Sequence, residues 1–134
     1  MNKVNKDIEI CRSYFNKCYS PYSKFNVVSV LSIDDEKYFG INVENCSYSL
    51  TVCAETNCIT TALTTDPSIK DRKDWSNCFM IVLTNTADEI TPCGSCRQVL
   101  AEFLPENFIV YTVGNNNIVK KYLLKELLPF GFIK

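Results

Sequence analysis

Residues 78–113 read CFMIVLTNTADEITPCGSCRQVLAEFLPENFIVYTV. At one end of this segment Cys78–Leu83 is a short continuous apolar run, the pattern of a strand buried on both faces, and at the other Phe108–Val113 reads as another buried strand. Between them, after Pro92, the residues Cys96, Val99, Leu100 and Phe103 recur at spacings of three and four, which is one face of a helix. A strand, a helix and a strand in that order predict a partly parallel sheet covered by helices.

The flanking sequence extends this pattern. Val4, Ile8, Cys11, Phe15 and Cys18 mark an amphipathic helix that ends before Ser20-Pro21. Phe25–Ile33 reads as a strand, Asp34-Asp35-Glu36 as a polar turn and Lys37–Ile41 as the returning strand of a hairpin. A second helix runs from Cys53 through Leu63, and the polar stretch from Thr64 to Asn77, with Pro67, reads as a connecting loop. Ile118–Tyr122 is a last short strand and Leu123–Leu128 a short final helix. The expected architecture is α/β: a single three-layer α/β/α domain over residues 1–134, with a mixed sheet of about five strands.

Composition narrows the function. Hydrophobic residues make up 46% of the 134, enough for a core without disulfide staples. Fourteen basic against fifteen acidic side chains leave a net charge of −1, so no polyanionic nucleic acid is implied as a partner. No apolar run has the length of a membrane span, and the first twenty residues lack the apolar block of a signal peptide. A soluble, cytoplasmic protein acting on a small molecule is the expectation. In a reducing compartment the eight cysteines are not a disulfide framework; clustered ones point to metal or catalysis, while Cys11, Cys18 and Cys78 read as core. The chain has no histidine, so neither a metal ligand nor a general base can be one.

Two short motifs carry the chemistry. Cys53-Ala54-Glu55 and Pro92-Cys93-Gly94-Ser95-Cys96 each fall at the start of a predicted helix. Unpaired N–H groups and the positive dipole end favour thiolate there. Cys93 and Cys96 can hold one ion from a single turn, with Cys53 supplying a third sulfur from the other helix. Three protein ligands leave one corner of a tetrahedron open, as in catalytic rather than structural zinc, and water in that corner ionises near neutral pH. Glu55, two residues past a ligand, is placed to shuttle protons beside it. The competing readings are a Cys93/Cys96 redox pair and a structural zinc with a fourth ligand. Cys58, about 140° round the helix from Cys53, should face away; Cys46, in a loop, stays open as that fourth ligand.

The paired motifs are the signature of zinc deaminases, and nearly the whole chain resembles the small homotetrameric cytidine deaminases of the three-cysteine zinc class. The similarity includes Pro21-Tyr22-Ser23-Lys24-Phe25, Asn42-Val43-Glu44-Asn45-Cys46-Ser47-Tyr48, Thr91 to Gln98 and Leu127-Leu128-Pro129-Phe130-Gly131-Phe132. The resemblance implies one Zn2+ per subunit on Cys53, Cys93 and Cys96. It implies hydrolytic deamination of cytidine and deoxycytidine to uridine, deoxyuridine and ammonia in pyrimidine salvage, by zinc-bound hydroxide adding at C4 with Glu55 as proton shuttle. Asn42 and Glu44 would hold the ribose 3′-hydroxyl, Phe25 would cover the base, and backbone groups of Ala54 and Thr91 would read its edge. Tyr48 and Phe132 would reach a neighbouring subunit's pocket in a homotetramer.

Two positions depart from that family. Thr56 follows the glutamate where arginine is common, and Cys46 stands where alanine is usual and reads as a small buried side chain. Three thiolates and Zn2+ sum to −1; Arg97, directly after a ligand, is the expected charge-tuning substitute. Other functions in view are deamination of another aminopyrimidine, such as a nucleotide or cytosine-type antibiotic, and a non-catalytic zinc-binding module.

Overall fold

The computed structural model describes residues 2–134. Strands β1 (Val27–Ile33), β2 (Glu36–Ile41), β3 (Cys78–Thr84), β4 (Ile109–Val113) and β5 (Val119–Leu123) form one sheet in the order β2-β1-β3-β4-β5. Only β3 and β4 run parallel; the other neighbours are antiparallel, so the sheet is mixed. The parallel pair is the one joined through the helix predicted between residues 92 and 103. The helices are α1 (Asn2–Arg12), α2 (Ala54–Thr65), α3 (Gly94–Phe103) and the single turn α4 (Leu124–Leu127).

Both faces of the sheet are covered because successive strand residues point to opposite sides. Val28, Val30, Ile81, Leu83 and Val113 pack against Val4, Ile8 and Cys11 of α1. Leu31, Met80, Val82 and Val110 pack on the other side against Cys58, Ile59 and Ala62 of α2, Leu100 of α3, and Leu124 and Leu127 of α4. Each such aliphatic side chain contributes about 1.5–3 kcal/mol by leaving water. The three layers are therefore α1, the sheet, and α2 with α3 and α4, as the sequence pattern predicts. Among the described residues no helix is long and apolar enough to cross a membrane.

Several boundaries shift by one or two residues, and two regions depart further from expectation. The first helix stops at Arg12, and Phe15–Lys17 form a separate 3-10 turn, leaving Cys18 half-buried. At the break, Ser13 and Tyr14 donate their N–H groups to the carbonyls three residues back, and Tyr14 stacks on Phe39 of β2 with ring centroids 4.4 Å apart. That aromatic contact turns the chain off the helix axis. The predicted loop from Thr64 begins with the last turn of α2 and contains a 3-10 turn, Pro67–Asp71, capped by Asp66 and anchored by buried Ile69.

The sheet register sets the place of the site. Val27, the first residue of β1, lies opposite Thr84, the last of β3. The start of β1 and the carboxyl end of β3 thus meet at one end of the sheet. Helix α2 lies close against β2 at Gly40: a Cβ there would stand 2.2 Å from the Ala54 carbonyl oxygen and 2.4 Å from the Cys58 nitrogen. Only glycine permits this approach, which fixes where α2 begins.

Candidate active site

Cys53 and Cys93 are the N-cap residues of α2 and α3, both with extended backbone, and Cys96 is in the first turn of α3. A cap residue must leave the helical conformation, and that departure turns each side chain across the helix end. The Cys93 sulfur takes up the capping role itself, accepting from the Cys96 N–H at 3.5 Å. The sulfurs of Cys53 and Cys93 are 3.9 Å apart, and all three Sγ atoms lie within 4.8 Å of one another. Tetrahedral zinc with sulfur at about 2.3 Å places its sulfurs about 3.8 Å apart, so the donor set fits that ion.

The electrostatics agree with the geometry. The Cys53 thiol is held below its ordinary range, chiefly because the Cys96 S–H donates to it. Cys96 is pushed well up by that same pairing and by burial. Three sulfurs at this separation cannot all ionise unless a cation shares the site. Among the described residues the cluster has three members. Cys58 is buried on the far side of α2 and donates to the Tyr38 carbonyl at 3.1 Å. Cys46 is exposed, beside Asn45, and is outside the cluster. Its expected burial is thereby corrected: the loop that carries it runs over the surface, away from the core. The open fourth position predicted for the metal is consistent with this arrangement.

A pocket of about 340 Å³ opens beside the sulfurs, and Phe25, Asn42, Glu44, Ala54, Glu55 and Thr91 all line it with Cys53 and Cys93. Glu55 is 4% exposed, and burial pushes its carboxyl above the usual range. Asn42 is also buried; its Oδ1 accepts from the Val27 N–H at 3.1 Å and its Nδ2 donates to the Phe25 carbonyl at 2.7 Å. This leaves the Asn42 amide locked in place with one N–H unused, since Nδ2 carries two. Glu44 accepts from the N–H groups of Tyr22 and Ser23 at 3.0 and 3.2 Å and from the Ser23 hydroxyl. Those bonds, led by the hydroxyl, hold its carboxyl below the ordinary range. A larger groove, about 570 Å³, lies between α3 and the carboxy-terminal segment, but none of the predicted site residues lines it.

Three predicted residues sit elsewhere. Arg97 spends its donors on oxygen: Nε on the Pro92 carbonyl at 2.6 Å, Nη1 on the Leu127 carbonyl at 2.6 Å and Nη2 on the Thr91 hydroxyl at 2.7 Å. It clamps the turn that carries Cys93. Tyr48 and Phe132 are 71% and 73% exposed and do not line the pocket of their own chain. Gln98 holds the Phe132 backbone through both ends of its amide, at 2.7 and 3.4 Å.

The pocket also recruits Thr51, Val82, Thr84 and Ile90, which sequence reasoning missed. The available signal for Val82 and Thr84 was their place at the carboxyl end of a strand in a partly parallel sheet, where ligands bind in open α/β folds.

A fold with three cysteines at two helix starts, a buried carboxylate and an adjoining pocket defines a zinc-dependent hydrolytic enzyme. The comparisons place it more narrowly. The family model described as the cytidine and deoxycytidylate deaminase zinc-binding region matches residues 1–112. The chain is 31% identical over 135 residues to the cytidine deaminase of Mycoplasma genitalium, covering 98% of each chain. It is 36% identical over 115 residues to that of Halalkalibacterium halodurans, covering 85% of this chain and 82% of the other. The crystal structure of cytidine deaminase from Burkholderia pseudomallei superposes with a TM-score of 0.80 at 32% identity, over 93% of this chain and 95% of that one. The chain belongs to the cytidine and deoxycytidylate deaminase family.

Proposed function

We propose that this protein hydrolytically deaminates free cytidine and deoxycytidine to uridine and deoxyuridine, releasing ammonia. Residues 1–134 act as one deaminase domain, in the cytoplasm, in pyrimidine salvage. The observation that carries this reading is the pocket itself. It joins the three-sulfur cluster and Glu55 to Phe25, Asn42 and Glu44, and its lining contains no lysine or arginine. A nucleotide phosphate beside the Glu44 carboxylate would meet like charge, which favours the nucleoside.

Cys53, Cys93 and Cys96 would hold the zinc, which when bound would supply an acidified water. Glu55 does the proton work: its buried carboxyl retains a proton more readily than an exposed one, gives it to N3 as the water oxygen adds at C4, then takes the proton of that added hydroxyl and passes it to the amino group, which leaves C4 as ammonia. Phe25 covers a face of the pyrimidine ring. Asn42 and Glu44 hold the ribose 3′-hydroxyl, one donating and one accepting. Backbone groups of Ala54 and Thr91 read the base edge. Arg97 fixes the turn carrying Thr91 and Cys93. The exposure of Tyr48 and Phe132 suits side chains that complete a neighbouring subunit's pocket in a homotetramer.

The test is to mix zinc-loaded protein with cytidine and follow loss of cytosine absorbance and release of ammonia, with Glu55→Ala and cytidine monophosphate as controls. Turnover of cytidine by the wild type alone is expected. No turnover by the zinc-loaded wild type would favour a non-catalytic zinc module, and faster turnover of the monophosphate a nucleotide deaminase.

A further inference from the structure

Position 56 is one residue past Glu55 and carries a small neutral side chain facing the cluster. Thr56 Oγ1 lies 3.3 Å from Cys96 Sγ. Other threonines on α2 behave differently: Thr60, Thr64 and Thr65 each donate to the carbonyl four residues back, at 2.9, 2.8 and 2.8 Å. That is the ordinary bond of a helical threonine hydroxyl. For Thr56 the corresponding carbonyl is that of Val52, which accepts from the Val43 N–H at 2.9 Å in a bridge to the neighbouring segment. The Thr56 hydroxyl turns instead to the sulfur of α3.

The direction of this bond follows from the metal chemistry. A sulfur bound to a cation is a thiolate and has no proton to give, so the hydroxyl is the donor. The guanidinium of Arg97, the nearest cation in sequence, donates to three oxygens instead. Resting on the three-cysteine zinc reading, we propose that Thr56 is a positioning residue of the metal centre: its hydroxyl donates to the Cys96 thiolate, draws charge from that sulfur and keeps the metal electrophilic. Groups hydrogen-bonded to metal ligands orient the ligand and tune the metal in this way. A neutral donor suffices for part of what a cation would do, because a short contact to partly buried sulfur acts at low local dielectric.

The experiment uses the Co2+-substituted protein, whose sulfur-to-cobalt charge-transfer absorption reports the electron density on the thiolates, together with steady-state kinetics on cytidine. Thr56→Val keeps the shape and loses the hydroxyl; Thr56→Ser keeps the hydroxyl. In Thr56→Val the charge-transfer band should move to longer wavelength and kcat should fall about tenfold with KM held, while Thr56→Ser should keep both near the wild type. A wild-type band that Thr56→Val leaves in place, or that Thr56→Ser shifts equally, overturns the proposal and leaves the three-cysteine centre standing. A wild-type protein that binds Co2+ with no thiolate charge-transfer band overturns the centre and this proposal with it.

Discussion

The sulfurs of Cys53 and Cys93 stand 3.9 Å apart although forty residues separate them in the chain. Each is the N-cap of its helix, and the two helices meet on the same face of the sheet. Replacing either by serine removes a thiolate and leaves two sulfurs, too few for tight zinc. Metal content measured by atomic emission should fall well below one zinc per chain, and the melting temperature should drop and cease to respond to added zinc, because ligand binding to the folded state is the source of that stabilisation.

Glu55 is expected to matter for turnover and not for metal retention. Glu55→Gln keeps the shape and removes the carboxylate proposed to shuttle protons. Turnover of cytidine should fall by roughly 10²–10⁴-fold, the usual range for a general acid–base group, with zinc content unchanged. Loss of zinc in parallel with activity would instead assign the carboxylate to the metal.

Ser23 donates its hydroxyl to the Glu44 carboxylate. Its hydroxyl is the foremost cause of the lowered Glu44 pKa, so Ser23→Ala should raise that pKa toward the ordinary carboxylate value. A lowered folded pKa keeps the carboxylate ionised as pH falls, and its contribution is lost only below the folded value. In Ser23→Ala the loss comes earlier on acidification. The acid limb of the kcat/KM profile should move to higher pH, with rates near neutral pH little changed.

Gly40 tests how the site is positioned. An alanine Cβ would meet the Ala54 oxygen and the Cys58 nitrogen, both backbone atoms of α2. The helix must shift or the strand must bend, at a cost of about 1–3 kcal/mol or more. The variant should melt lower and bind zinc more weakly, because Cys53 moves with the start of α2. Competition with a chromogenic chelator reads the second effect.

Arg97 makes three hydrogen bonds that no shorter or unbranched side chain reproduces. Arg97→Gln should lower both the melting temperature and turnover, since the turn holding Thr91 and Cys93 loses its clamp. Unchanged kinetics would remove Arg97 from the working parts of the site.

The elements legible in the sequence are those whose cause is local. Cys78–Thr84 and Ile109–Val113 are strands because each is a short, mostly apolar run in a sheet covered on both sides. The two cysteine motifs mark helix starts because capping involves residues within one turn of each other. The end of α1 was less legible, since Tyr14 leaves the helix to stack on Phe39, a residue far along the chain.

Sequence alone was enough to single out the candidate sulfurs, the carboxylate beside them and the order of strands and helices, because spacing along one chain segment controls them. Tertiary structure decided the rest: that Thr84 stands beside Val27 at the pocket wall, that Arg97 serves oxygens, and that the Thr56 hydroxyl faces Cys96. Those pairings come from sheet register and from which hydrogen-bond acceptors are already taken. Neither is encoded in any one stretch of residues, because each depends on distant segments packing together.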